Sequence, residues 1–284
     1  MNLTGAEKLN NLCSEHKNIW MGIVNLTPDS FSDGGKYIDN KCALSRIDSL
    51  VEAGAKILDF GGASSRPNAA YVNPEEELKR VYGAIVEARK RIPANVLISL
   101  DTYSPIVAHK LAQEGLIDIV NDIFSGLRIE NVMGVMCSTA HVAAQYNLGY
   151  IIMHMQGTPK DMQVNPVYNS CIAEVTTFLQ ERIQYAEQCG VKTIAIDPGI
   201  GFGKSLENNL ELLSQEGIDS LLNLKKAVLI GLSRKTFLGK LYPELVEPFS
   251  RDHVSKQFEI KCLEFGAKII RSHILPSELN LNIE

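Results

Sequence analysis

Eight short apolar runs in this 284-residue chain each end on polar side chains able to bind or polarise a ligand. They end at Asn25, Asp59, Asp101, Asn121-Asp122, His154, Asp197, Ser233-Arg234-Lys235 and Arg271-Ser272-His273. Carboxylates accept paired N–H donors, an amide donates and accepts at once, and Lys, Arg and His hold anions. Any one of them alone reads as a cap on the next turn. Eight together describe a polar surface that is costly to desolvate unless a ligand uses it.

The elements that must position them follow a degenerate repeat. Glu52-Ala-Gly-Ala-Lys-Ile-Leu-Asp59, Gln188-Cys-Gly-Val-Lys-Thr-Ile-Ala-Ile-Asp197 and Glu264-Phe-Gly-Ala-Lys-Ile-Ile-Arg271 share one plan: helix, glycine cap, apolar strand, polar residue. Strands are expected at 19–24, 56–60, 96–100, 117–123, 149–154, 193–197, 227–232 and 267–272. Helices are expected near 41–53, 74–91, 105–115, 131–147, 168–189, 206–222 and 251–265. Pro74, followed by three glutamates, suits a helix start, because proline lacks the donor that would be orphaned and the acids face the positive dipole end. Strict alternation predicts parallel βαβ units. Eight of them point to an α/β fold, a single-domain (β/α)8 TIM barrel over 18–284 preceded by an extension at 1–17, ahead of a doubly wound open sheet. In such a barrel the carboxyl ends of the strands form the active site, and the polar residues fall there.

Composition narrows the function. A formal net charge of −5 without a long basic run gives no footprint for nucleic acid or an anionic membrane, so an anionic ligand must be held locally. The six cysteines are far apart, without zinc spacing, and read as reduced thiols. No apolar run of about 18 residues occurs and the first 17 residues are polar, so a cytoplasmic protein is expected.

The most specific stretch is Met21-Gly-Ile-Val-Asn-Leu-Thr-Pro-Asp-Ser-Phe-Ser-Asp-Gly-Gly35, where a strand gives way at Asn25 to a long loop of small and turn-forming residues. It resembles the first signature of the dihydropteroate synthases, folate-pathway transferases and sulfonamide targets. The resemblance continues in order through Asp59-Phe-Gly-Gly-Ala-Ser-Ser-Arg-Pro67, Ser99-Leu-Asp-Thr102, Asn121-Asp-Ile123 and Met153-His-Met-Gln-Gly157. It then takes in Asp197-Pro-Gly-Ile-Gly-Phe-Gly-Lys204, Gly231-Leu-Ser-Arg-Lys235 and Ile270-Arg-Ser-His273. The reaction it implies joins 6-hydroxymethyl-7,8-dihydropterin diphosphate to p-aminobenzoate, giving 7,8-dihydropteroate and diphosphate.

The resemblance also implies roles. Asp101, Asn121 and Asp197 bind the pterin head, Lys235 donates to its ring acceptors, and Ile123, Met153 and Phe202 wall its faces. Arg271 and His273, two apart on a strand and so pointing the same way, grip the diphosphate with Asn25, which helps to place a Mg2+ ion. Ser65 and Arg66 close over it, and Ser233, Pro67 and Phe31 shape the p-aminobenzoate pocket. Asn25, Lys235, Arg271 and His273 are therefore the expected catalytic residues.

Three motifs fail on inspection. Gly201-Phe-Gly-Lys-Ser205 ends like a phosphate-binding loop, but Pro198 stands where its first glycine belongs. His154 reads as a hydrogen-bonded core histidine, and Ser233 lacks the following glycine of a nucleophile elbow. The chain departs from the family's usual pattern at Ala63, where the family has Glu, at Ile274, where it has Asp, and in 249–258. Two alternatives follow: a pterin-binding paralogue with lost or altered turnover, and a methyltetrahydrofolate corrinoid methyltransferase domain, which shares the Asp and Asn positions but not the first loop. Only nine residues follow Leu275, so a shortened last helix and a weak homodimer are expected, held mainly by the helix near 251–265, through Val254, Phe258, Cys262 and Phe265, and by the helix before it.

Overall fold

The computed structural model describes residues 3–27, 36–64 and 69–274. Eight parallel strands close into a barrel in the order β1-β10-β9-β8-β7-β4-β3-β2. They are β1 (Ile19–Asn25), β2 (Ile57–Gly61), β3 (Leu97–Asp101), β4 (Ile119–Asp122), β7 (Gly149–Met153), β8 (Thr193–Asp197), β9 (Ala227–Ile230) and β10 (Ile269–Ser272). Helices α2 (Lys36–Glu52), α3 (Pro74–Arg91), α4 (Pro105–Gln113), α6 (Cys171–Gln188) and α10 (Asp252–Glu264) form the outer layer with shorter ones between them. The TIM barrel read from the alternation is thus the observed fold.

Period-two alternation explains the interior. Met21, Ile57, Leu97, Ile119, Ile151, Ala195, Leu229 and Ile269 form one apolar layer inside the barrel. Two residues on, the same faces carry Ile23, Asp59, Ser99, Asn121, Met153, Asp197, Gly231 and Arg271, so the barrel changes from apolar to polar within one repeat. The opposite faces, with Trp20, Phe60 and Tyr150, pack beneath the helices.

The 1–17 segment contains a helix, α1 (Gly5–Glu15), started by a capping box between Thr4 and Glu7. Its Leu9 and Leu12 are buried in the apolar layer, closing the amino end of the barrel. Each such burial stabilises by about 1.5–3 kcal/mol. Gly149 opens β7 because a Cβ there would meet Leu9 Cδ2 at 2.6 Å.

Two helices differ from the sequence expectation. In place of one helix over 131–147 the chain forms a hairpin, β5 (Glu130–Val132) and β6 (Val135–Cys137), then α5 (Thr139–Gln145). Met133 and Gly134 both adopt positive φ, the conformation of a two-residue hairpin turn, and Asn131 Oδ1 accepts from Gly134 N at 2.8 Å. The expected 206–222 helix is split into α7 (Leu206–Leu212) and α8 (Gln215–Leu222) by Ser214, whose hydroxyl caps Gly217 N at 3.1 Å. A further short helix, α9 (Thr236–Leu241), follows Lys235, and a 3-10 turn (Pro248–Arg251) precedes α10.

On α10 the stripe expected at a dimer interface faces inward. Val254 and Cys262 are buried in the core, and Phe258 packs edge-on against Phe237 with ring centroids 6.4 Å apart. The expected shortened last helix, beyond Leu275, lies outside the described residues.

Candidate active site

Polar side chains from six strands meet at the carboxyl end of the barrel. Arg271, on β10, donates through Nε to Asp59 Oδ2 at 2.6 Å and through Nη2 to Asp101 Oδ2 at 2.7 Å. Asn121 on β4 donates to the same Asp59 oxygen at 3.2 Å. Asp59 is fully buried, and among the described residues its Oδ1 has no hydrogen-bond partner. Burial opposes the Arg271 charge, but Asp59 and Asp101 beside it hold its pKa above the ordinary value. For Asp101 burial prevails over the pull of Arg271 and pushes the carboxyl up to about 7.

Across the mouth, Asp197 ends β8 and accepts from Gly199 N at 2.7 Å. Its carboxyl is raised by burial, against the opposing effects of Lys235 and of the Gly199 N–H. Lys235 reaches the site because Arg234, at positive φ, turns the chain after β9. Arg234 itself points away to a paired contact with Asp252 at 2.7 and 2.8 Å. The Lys235 ammonium donates to the Ile200 carbonyl and lies 4.5 Å from the Phe202 ring centroid, with its pKa pulled down by burial to about 8.

Two inward glycines leave room among these groups. A Cβ on Gly61 would lie 3.7 Å from Asp101 Oδ2 and 3.8 Å from Asn25 Oδ1. One on Gly231 would lie 3.7 Å from Arg271 Cβ and 3.8 Å from Asp197 Oδ2. These are ordinary contact distances, so the protein itself would accept alanine at both positions.

The remaining expectations divide. Ile123 and Met153 are buried at the ends of β4 and β7. Ser233 Oγ accepts from His273 N and contacts His273 Nδ1, both at 3.2 Å, and the His273 carbonyl accepts from Arg46 at 2.9 Å. His154 is a buried, hydrogen-bonded histidine, as read from the sequence, and its partner is Lys204. Ser65, Arg66, Pro67 and Phe31 lie outside the described residues. Asp59 and Lys204 were given no role by the sequence, although Asp59 was legible as one of the eight strand-end residues.

Residues 21–273 match the family described as pterin binding enzyme. The chain is 40% identical over 256 residues to the dihydropteroate synthase of Neisseria meningitidis serogroup C, covering 89% of this chain and 86% of that one. The chain belongs to the dihydropteroate synthase family. The Escherichia coli synthase is likewise 40% identical over 255 residues, with 89% and 85% covered. The crystal structure of the Yersinia pestis synthase with a sulfonamide drug complex superposes at a TM-score of 0.82, with 35% identity and 92% and 90% covered. The Xanthomonas albilineans synthase in complex with 7,8-dihydropteroate gives 0.78 at 33% identity, with 93% and 90% covered.

Proposed function

We propose that Asp101, Asn121 and Asp197 bind the pterin head, with Lys235 donating to its ring acceptors and Ile123, Met153 and Phe202 walling its faces. The chain is a dihydropteroate synthase, a transferase of folate synthesis that condenses 6-hydroxymethyl-7,8-dihydropterin diphosphate with p-aminobenzoate. The observation that carries the assignment of roles is the convergence of two carboxyls, an amide and two cations around the space over Gly61 and Gly231. A pterin edge presents an amine beside a ring N–H, and a carboxylate accepts both.

Arg271, His273 and Asn25 are the groups for the diphosphate, with Ser65 and Arg66 closing over it and Ser233 toward p-aminobenzoate. A magnesium ion bound with the diphosphate would supply positive charge to the departing anion. Asn25 would hold it: its amide oxygen is a hard donor, and magnesium is commonly carried by substrate phosphates with few protein ligands. The arylamine nitrogen is neutral near pH 7, so the reaction needs no strong base. The C–O bond to diphosphate breaks, the C–N bond forms, and the anilinium proton passes to solvent. Arg271 and Lys235 stabilise charge in place, without reorganising during the reaction.

The proposal extends to a cytoplasmic homodimer. No helix among the described residues is long and apolar enough to cross a membrane, and all six cysteines are free. Val254 and Cys262 are buried in the core, so other surfaces are the proposed contact. Calorimetry on folded Asp101→Asn and Asp197→Asn proteins tests the pterin assignment. Each should lose on the order of 1.5–3 kcal/mol of pterin binding, and unchanged affinity in both would refute it.

A further inference from the structure

The loop joining β8 to α7 is wound around one buried cation. Lys204 is 2% exposed, and its Nζ lies 2.9 Å from the Gly199 carbonyl, 3.0 Å from the Phe202 carbonyl and 2.9 Å from His154 Nδ1. The His154 carbonyl is farther, at 3.4 Å. An ammonium has three N–H donors, and here three close acceptors receive them. Between about pH 3 and 7 the acceptor state of the imidazole and the charged state of the lysine coincide, because burial pulls His154 down to about 3 and Lys204 to about 7.

The backbone around this centre has little freedom to settle elsewhere. Gly199 and Gly203 both have positive φ, and a Cβ on them would lie 1.8 Å from the His154 carbonyl and 2.3 Å from the Gln156 carbonyl. Gly199 N donates to Asp197, and Phe202 N donates to the Gly199 carbonyl at 3.0 Å. The two carbonyls that Lys204 gathers therefore belong to the segment that fixes the Asp197 carboxyl and carries the Phe202 ring. Lys204 makes no contact with Asp101, Asn121 or Arg271 among its hydrogen bonds.

We infer that Lys204 is a positioning residue of the pterin site: its ammonium, held by His154, draws the Gly199 and Phe202 carbonyls inward and so sets Asp197 and Phe202 against the pterin. The inference rests on the assignment of those two residues to the pterin. It also gives the lysine of the failed phosphate-loop pattern a function in which it meets no phosphate. An error of about 1 Å in such a support is enough to cost an order of magnitude or more at the site.

The test compares Lys204→Met with Asp197→Asn at pH 6.5, using 6-hydroxymethyl-7,8-dihydropterin as the calorimetric probe and counting folded molecules by binding stoichiometry. Lys204→Met should raise the pterin Kd about tenfold or more per folded molecule, with the KM for p-aminobenzoate unchanged at saturating pterin diphosphate. If Asp197→Asn weakens pterin binding and Lys204→Met only lowers Tm, Lys204 is a core residue and the inference is overturned. If Asp197→Asn leaves affinity unchanged, the assignment of the site fails instead. Should Lys204→Met not fold, His154→Leu and His154→Gln replace it. Glutamine, which can still accept from Lys204, should retain more pterin affinity than leucine, and equal affinities in both and in the unchanged chain would overturn the inference.

Discussion

Arg271 donates its Nε–H to the fully buried carboxyl of Asp59 at 2.6 Å, across 212 positions of sequence. That contact aims the guanidinium, because it fixes one edge of the planar fork and leaves the other edge toward Asp101 and the barrel mouth. Asp59→Asn keeps the shape and an acceptor but removes the charge. With Arg271 less firmly aimed, kcat/KM should fall about tenfold to a hundredfold, while circular dichroism shows a folded barrel. Steady-state kinetics within twofold of the unchanged chain would show that Asp59 does not orient Arg271.

Gly231 separates the Arg271 stem from Asp197 with room for a methyl group. Gly231→Ala should therefore leave stability within about 1 kcal/mol, because the added Cβ meets only ordinary contacts and alanine also restrains the unfolded chain. The methyl would occupy space assigned to the pterin, so pterin affinity should fall at least about tenfold. A thermal melt paired with calorimetry decides it. An affinity equal to that of the unchanged chain would place the pterin elsewhere.

The pH dependence of pterin binding should be bell-shaped. Asp101 titrates near 7 in the free site, so below that pH a proton must leave before the carboxylate accepts from the pterin. Affinity then drops by up to about tenfold per pH unit on acidification. Lys235 titrates near 8, so affinity also declines above that as the ammonium loses its proton. Asp101→Asn should abolish the acid limb and keep the alkaline one. An acid limb that survives in that variant would assign it to another group.

Glu77 on α3 is fully buried beneath the segment after β2, where the Thr102 hydroxyl gives its carboxyl only a weak opposing pull. Burial pushes its pKa from 4.5 up to about 7. The folded state thus holds a proton that the unfolded chain releases. This contribution to stability is complete below about 4.5 and is lost as pH rises through about 7. Glu77→Gln mimics the protonated acid, so it should be nearly neutral at pH 5 and stabilising at pH 8, by up to about 3 kcal/mol. Chemical denaturation at the two pH values reads the difference, and an equal effect at both would remove Glu77 as the titrating group.

Much of the barrel was legible because its signals are local. Asn73-Pro74 and the glutamates after it start α3 where expected, and the period-two change from Ile57 to Asp59 or Leu229 to Gly231 marks the inner face. The hairpin at Glu130–Cys137 was not, because Met133-Gly134 is an unusual pair for a turn that needs two positive φ angles and the surrounding apolar residues also fit a helix. The first helix was read as polar because only its inner stripe, Leu9 and Leu12, reaches the barrel. Within the site, strand-end position revealed the residue types. It could not reveal that Arg271 joins Asp59 to Asp101, or that Lys204 is enclosed by Gly199, Phe202 and His154, since those contacts arise from barrel closure and loop winding.

The most direct test is turnover by the purified chain with 6-hydroxymethyl-7,8-dihydropterin diphosphate, p-aminobenzoate and magnesium, following diphosphate and dihydropteroate together. The two products should appear in equal amounts, only when both substrates are present, and removal of magnesium by a chelator should suppress both. Pterin binding without diphosphate release, despite a folded protein and saturating p-aminobenzoate, would contradict the account.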